Sequence, residues 1–465
     1  MQEARRTNRS LVTVGLLFAL FVGALDTTVV STAMPHIMGE LKGLALVSWI
    51  FTIYTLATCV TTPIFGKLAD LFGRKSVFVW GLALFVLGSI LCGAAQTMPQ
   101  LIIFRAIQGI GAGALTPVTF TIIGDLYPGE QRGRVQGVFA SVWSVAALLG
   151  PLVGGYFVDV VTWRWIFYMN VPVGIIAFGL VVGALHEPFE KKTKSIDYAG
   201  ALTFTIGITA LLYALLSGGI HYSWSSGVEI GLLVLALVFL LAFIGIEKRA
   251  PEPMLPLDLF RSRRMTLLYV MAFLAFCVVS GVSIYIPMWI QTLLGRSATS
   301  SGLTLMPMSL AWPFAANLSG RLMYRLGPKT FVVTGAAFVA GGSLWLAFVS
   351  TASPYWFLAG VLILIGFGMG CMTTPAMVLI QTSVTASRRG VATSTNSLMN
   401  AFGQTVGVAV FGALFNRYAT DHAPEQLATG IHMVFLLLVG IALVNLLAVS
   451  LLPSAQSGGQ EETSR

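Results

Sequence analysis

GKLADLFGRK, residues 66–75, lies between two long apolar runs, and a near copy, GRLMYRLGPK, returns at 320–329. The offset is 254 residues. A second match follows at an offset of 257: Gly109, Gly111, Gly113, Arg132 and Gly133 correspond to Gly366, Gly368, Gly370, Arg389 and Gly390. A chain that repeats its loop and helix signatures over half its length reads as two copies of one helical unit. Repeated halves are common among secondary transporters, with a site near the bilayer midplane between them.

The composition agrees. The chain has 465 residues, 56% hydrophobic and 10% charged. Soluble domains carry about 25% charged residues. Mean hydropathy is +0.85, and apolar runs recur along the whole length, as many membrane spans require. Fourteen spans are expected, at 11–33, 45–68, 76–96, 100–124, 134–157, 164–185, 198–217, 228–246, 266–291, 299–323, 330–350, 355–380, 390–416 and 430–452. Two six-helix units account for twelve. The pair at 198–246 falls between them as an inserted hairpin. The expected division is 1–190 for the first six-helix bundle, 191–264 for the hairpin with its linkers, 265–453 for the second bundle and 454–465 for an unstructured tail.

Basic residues orient the spans. With both termini on one face, twenty-two of the 27 lysines and arginines fall on that face, and Lys42, Arg164, Arg296 and Arg417 on the other. The positive-inside rule makes the crowded face cytoplasmic. The net charge of +9 is thus a topology signal, and nucleic-acid binding is rejected. The first span reads as a retained helix rather than a cleaved signal. Cys59, Cys92, Cys277 and Cys371 fall in separate apolar runs with no CxxC spacing, so neither a metal site nor a disulfide frame is expected. GIGAG, 109–113, imitates a nucleotide fingerprint but lies mid-helix with no preceding strand. With no GxxxxGK[ST] loop either, no ATP motor, cofactor or enzymatic chemistry is expected.

The basic residue left over is Arg105, inside the fourth span, and Asp26 is the one acid deep within a span. Ionisable groups in the bilayer are costly and usually functional. The two stand at comparable depth, either as a static neutralising pair or as proton-handling groups. The second half offers only neutral polar residues in its spans: Gln291, Asn317, Asn396, Asn400 and Gln404, with Leu362 where the repeat would place Arg105. Proton coupling is therefore expected in the first half. Tyr54, Gln108, Trp143, Trp289, Asn317, Asn400 and Gln404 are candidates to line a substrate cavity, although membrane tryptophans also serve as interface anchors. Gly150, Pro151, Gly154 and Gly155 provide either a bend or close packing in the fifth span. Asp70, Arg74, Asp125, Arg388 and Arg389 can form a charge network at the cytoplasmic ends. Glu229 is expected at the far end of the hairpin, within reach of water.

These motifs resemble the major facilitator superfamily, and within it the fourteen-span drug:proton antiporters. GKLADLFGRK resembles the superfamily loop motif, RAIQGIGAG (105–113) the fourth-helix motif, and AALLGPLVGG (146–155) the antiporter motif, with Ala146 where glycine is usual. LDTTVVSTAMP (25–35), WRWIFYMNVPVG (163–174) and DYAG (197–200) are similar to signatures of the fourteen-span group. The resemblance implies an all-α membrane protein with the major facilitator fold and proton roles for Asp26 and Arg105. It also implies a cytoplasmic latch at Asp70 and Arg74, and multidrug efflux across the cell membrane. Some members carry a second acid where this chain has Asn317, which puts export of divalent cations in doubt. The expected partners are a small-molecule substrate, protons and membrane lipids, with a monomer as the expected state. The rival reading keeps the fold but exports one dedicated metabolite, such as an antibiotic, siderophore, amino acid or lipid.

Overall fold

The computed structural model describes residues 7–41, 46–187, 197–218, 222–296, 298–418 and 424–453. The helices are α1 (Arg9–Leu41), α2 (Val47–Phe72), α3 (Arg74–Ala94), α4 (Met98–Leu126), α5 (Gly129–Tyr156), α6 (Trp165–Tyr168), α7 (Asn170–Ala184), α8 (Tyr198–Ser217) and α9 (Gly227–Glu247). They continue with α10 (Arg263–Thr292), α11 (Ala298–Thr304), α12 (Met306–Leu326), α13 (Pro328–Leu346), α14 (Tyr355–Thr382), α15 (Arg389–Tyr418) and α16 (Pro424–Ser450). A π-helical turn, Phe157–Val161, follows α5.

Thirteen of these segments are long and apolar enough to cross a membrane among the described residues. The expected span at 299–323 is not one of them. It is divided into α11 and α12, and Arg321, Asn317 and two prolines dilute its apolar character. The linker 188–196 and tail 454–465, including Lys191, Lys192, Lys194 and the domain boundary at 190, lie outside the described residues.

Many large apolar side chains stay exposed, among them Trp80, Leu152, Leu237 and Phe348. In lipid this costs nothing, and closed backbone hydrogen bonding is the governing constraint, which helices meet by themselves. Packing then depends on small residues that let backbones approach. In RAIQGIGAG, Gly109 and Gly113 face α2 at Tyr54 and Thr61, while Gly111 faces α3 at Gly81 and Phe85. The run is a helix-packing stripe.

The chain divides into two packed units. The first comprises Met1–Pro128, Ser141–Leu257 and Val384–Ala413; the second comprises Gly129–Ala140, Asp258–Ser383 and Leu414–Arg465. Packing therefore cuts across chain order: the start of α5 belongs to the second unit and the start of α15 to the first. The repeated loop motif keeps its backbone in both. Gly73 and Gly327, matched at offset 254, have φ of +90° and +85°, a conformation that glycine adopts without steric cost.

The hairpin belongs to the first unit. Phe204 of α8 packs on Phe243 of α9 at 5.2 Å. Glu229 departs from expectation: its side chain is 0% exposed. It lies in the first turn of α9, where Ser217 Oγ donates to its Oε2 at 3.2 Å. The return of α8 covers it, which hairpin geometry decides and sequence depth does not show.

Candidate functional site

Asp26 on α1 and Arg105 on α4 are 0% and 1% exposed, and Arg105 Nη1 donates to Asp26 Oδ2 at 2.6 Å. A charge-assisted bond of that length is of the strong kind. Asp26 Oδ1 accepts from Gln108 Nε2 at 2.8 Å and from Asn170 Nδ2 at 3.2 Å. Both amides also donate to Ser89 Oγ, at 2.7 and 2.8 Å. Gln108 Oε1 accepts from Arg105 Nη1 at 2.7 Å, so this amide bridges the ion pair. Arg105 Nε donates to the Ile50 carbonyl at 3.4 Å, and the guanidinium carbon lies 4.0 Å over the Tyr54 ring.

Five helices supply this cluster. Arg105 and Gln108 are three apart on α4 and share a face. Gly88 lets α3 approach the backbone of Gln108, which brings Ser89 into range. Asn170 is the first residue of α7. Burying two charges is costly unless each remaining lone pair and proton is satisfied; here the Gln108 and Asn170 amides and the Ile50 carbonyl bond to the pair, and Ser89 holds the two amides in place. The pair is electrically neutral as a unit, and a proton on Asp26 would free Arg105 from its anion.

A second cluster gathers where α2 ends and α15 begins. Asp70 Oδ1 and Oδ2 accept from the backbone N–H groups of Gly390 at 3.1 Å and Val391 at 2.9 Å. A carboxylate on the first amides of a helix is favoured by the helix dipole. Arg74 pairs with Asp70 at 3.2 Å, Asp125 at 3.0 Å and Glu187 at 3.7 Å, and donates to the Ala386 carbonyl. Arg389 Nη1 reaches Asp125 Oδ1 at 2.7 Å. Arg388 lies exposed in the preceding turn. Beneath the charges Gly66 and Gly390 abut: a Cβ on Gly66 would stand 2.8 Å from the Gly390 carbonyl oxygen.

The second unit holds a counterpart crossing. A Cβ on Gly133 of α5 would stand 2.6 Å from the Gly320 carbonyl oxygen on α12. Asn317 Nδ2 donates to the Gly137 carbonyl at 3.1 Å, and Gln136 Nε2 donates to Gln381 Oε1 at 2.8 Å, both side chains buried. The glycines matched in sequence as 66 with 320 and 133 with 390 thus meet crosswise.

The candidate cavity residues are dispersed. Tyr54 and Gln108 sit inside the buried charge cluster. Trp143 and Gln404 are exposed and Asn400 half-buried in the first unit. In the second unit Trp289 is buried against Phe435, and Asn317 grips α5. Gly150 and Gly154 lie against Thr28 and Thr32 of α1, so they serve close packing. The helix runs unbroken through Pro151, and a Cβ on Gly155 would meet nothing. Sequence reading missed Ser89, Asn170 and Glu187. Asn170 lies inside a quoted motif, and a lone amide in an apolar run was its signal. Ser89 had no signal beyond a hydroxyl in a span.

A bundle of lipid-length helices around a satisfied buried ion pair is the build of a polytopic membrane transporter. The chain belongs to the Major Facilitator Superfamily, whose family model matches residues 16–408, with a further match over 325–464. It is 38% identical over 426 residues to the multidrug transporter protein MdtP of Bacillus subtilis, covering 92% of this chain and 79% of that protein. It is 36% identical to multidrug resistance protein 3 of the same organism, covering 90% and 82%. Among solved structures it is similar to the human organic anion transporter MFSD10, with TM-score 0.71 at 14% identity, covering 95% of this chain and 99% of that one. That likeness concerns the fold.

Proposed function

We propose that this chain is a proton-coupled antiporter that exports lipophilic, cationic drugs or related small molecules by alternating access. The observation that carries the reading is the buried Asp26, whose cationic partner is Arg105. Asp26 takes a proton from the outside and releases it inward, while Arg105 is relieved of its anion and re-pairs as the cycle returns. A cationic substrate competes with the proton for the same carboxylate. The membrane potential supplies about 2.3 kcal/mol per charge per 100 mV, enough for appreciable uphill export. The names of the two Bacillus relatives support drugs as the substrate class.

The arrangement we propose has fourteen spans, with α11 and α12 forming the tenth, two six-helix bundles at 1–190 and 265–453, and the hairpin segment 191–264 between them. Both termini are cytoplasmic. The crosswise glycine contacts and the matched turns at Gly73 and Gly327 support the two-repeat reading. The Asp70 cluster is the cytoplasmic gate, and opening inward parts Gly66 from Gly390. Inverted vesicles test the coupling. Substrate should release protons in the parent, and Asp26→Asn should abolish that release while the protein still reaches the membrane. Undiminished efflux under a fixed pH gradient would remove Asp26 from the mechanism.

A further inference from the structure

Glu229, Glu247 and Glu252 belong to neither cluster, and all three organise the hairpin. Glu229 joins α9 to Ser217 at the end of α8. At the opposite end Glu247 accepts from the backbone N–H groups of Met254 at 3.0 Å and Leu255 at 3.3 Å. This folds the exit segment 248–257 back under α9. The fold-back places Glu252 Oε2 at 2.9 Å from Lys67 Nζ of α2. At the other end of α2, Trp49 stacks on Tyr213 of α8 at 5.2 Å and 29°.

The hairpin therefore holds α2 at both ends, and α2 serves both clusters. Ile50 and Tyr54, next to the Trp49 end, take the backbone bond and the ring contact of Arg105. Gly66 and Asp70, on either side of Lys67, form the crossing with Gly390. Glu252 lies on the segment that runs on into α10, so α2 cannot move away from that connector without breaking the Lys67 pair.

We propose that the inserted hairpin and its exit segment are a strap that keeps α2 in the gate-closed position, with Lys67 and Glu252 as positioning residues. This rests on the reading of the Asp70 cluster as a gate. The hairpin has no counterpart in the sequence repeat, and the strap gives its two helices a role of their own, which is to set how readily the gate opens.

The test uses the full-length chain with its four buried cysteines replaced and a single reporter, Ser394→Cys, buried at the Gly66 contact. The rate of N-ethylmaleimide labelling is read in inverted vesicles. Asp70→Asn should raise it, which tests the gate itself. Lys67→Glu and Glu252→Lys should each raise it about two- to fivefold, the range of an ion pair still partly open to solvent, and the combined swap should restore the parental rate. Tyr213→Ala, which leaves that pair in place, should raise it as well. Parental labelling in Lys67→Glu beside raised labelling in Asp70→Asn overturns the strap and leaves the gate standing. Single variants that label faster but are not restored by the swap overturn it too. Parental labelling in Asp70→Asn defeats the gate and the strap together.

Discussion

Asn170 reaches across 144 positions of sequence to donate its amide to Asp26 at 3.2 Å. The same amide donates to Ser89 Oγ at 2.8 Å, so one side chain at the start of α7 ties α3 to the carboxylate of α1. A hydrogen bond to a charged group is worth about 1.5–3 kcal/mol. Asn170→Ala should lower stability by about that amount, read as a shift in the denaturant midpoint of the purified protein. Under the proposed mechanism it should also reduce proton-driven efflux. An unmoved midpoint would show that the amide contributes nothing to holding Asp26.

The ion pair should behave as one unit. Removing one member of a buried pair leaves an uncompensated charge and costs about 3–5 kcal/mol, whereas replacing both is far milder. Arg105→Gln and Asp26→Asn should therefore each destabilise more than the combined variant does. A double-mutant cycle on thermal or denaturant midpoints checks this, and simple additivity would show that the two charges do not sense each other.

The glycine crossings should resist any side chain. A Cβ at Gly320 would overlap the Gly133 backbone, and overpacking costs about 1–3 kcal/mol. Gly320→Val should shift the population away from the closed crossing by about tenfold, since about 1.4 kcal/mol is a factor of ten. Labelling of a single cysteine at buried Gln136 would record it. Labelling at the parental rate would mean that the crossing does not form.

At the opposite end from Asp70, Glu40 accepts from Trp163 Nε1 at 2.6 Å and Arg164 Nη2 at 2.7 Å. The Trp163 indole N–H, then the Arg164 guanidinium, hold the Glu40 carboxyl below its usual range. A depressed folded-state value gives stability that is complete above the unfolded value, about 4.3. It is lost as pH falls through the folded value. The parent should therefore exceed Glu40→Gln in stability at neutral pH, and the gap should close in acid. The gap is small because the carboxylate is half exposed and screened. A gap that stays constant from neutral pH down into acid would exclude the carboxylate charge as its source.

The sequence by itself determined the class of fold, because lipid leaves few options. Apolar runs of helix length must close their own hydrogen bonds, so hydropathy alone locates α2 to α4, α8 to α10, α14 and α15 closely. Among the described residues the segment around Arg321 fell short of a span by composition. The sequence also singled out Asp26 and Arg105, since a charge in an apolar run stands out whatever surrounds it. Their neighbours stand out less: Gln108 reads only as a cavity candidate, Asn170 only as a lone amide and Ser89 not at all, and tertiary packing alone aimed the two amides at one carboxylate and at Ser89. The repeat offsets marked which glycines were equivalent but not which would touch, because equivalence is a property of the chain and contact a property of helix crossing. Packing likewise decided that Asn317 grips α5, that Glu229 is covered, and that Lys67 finds Glu252 across 185 positions of sequence. Such pairings carry no local pattern; they arise where backbones approach closely enough for short polar side chains to meet.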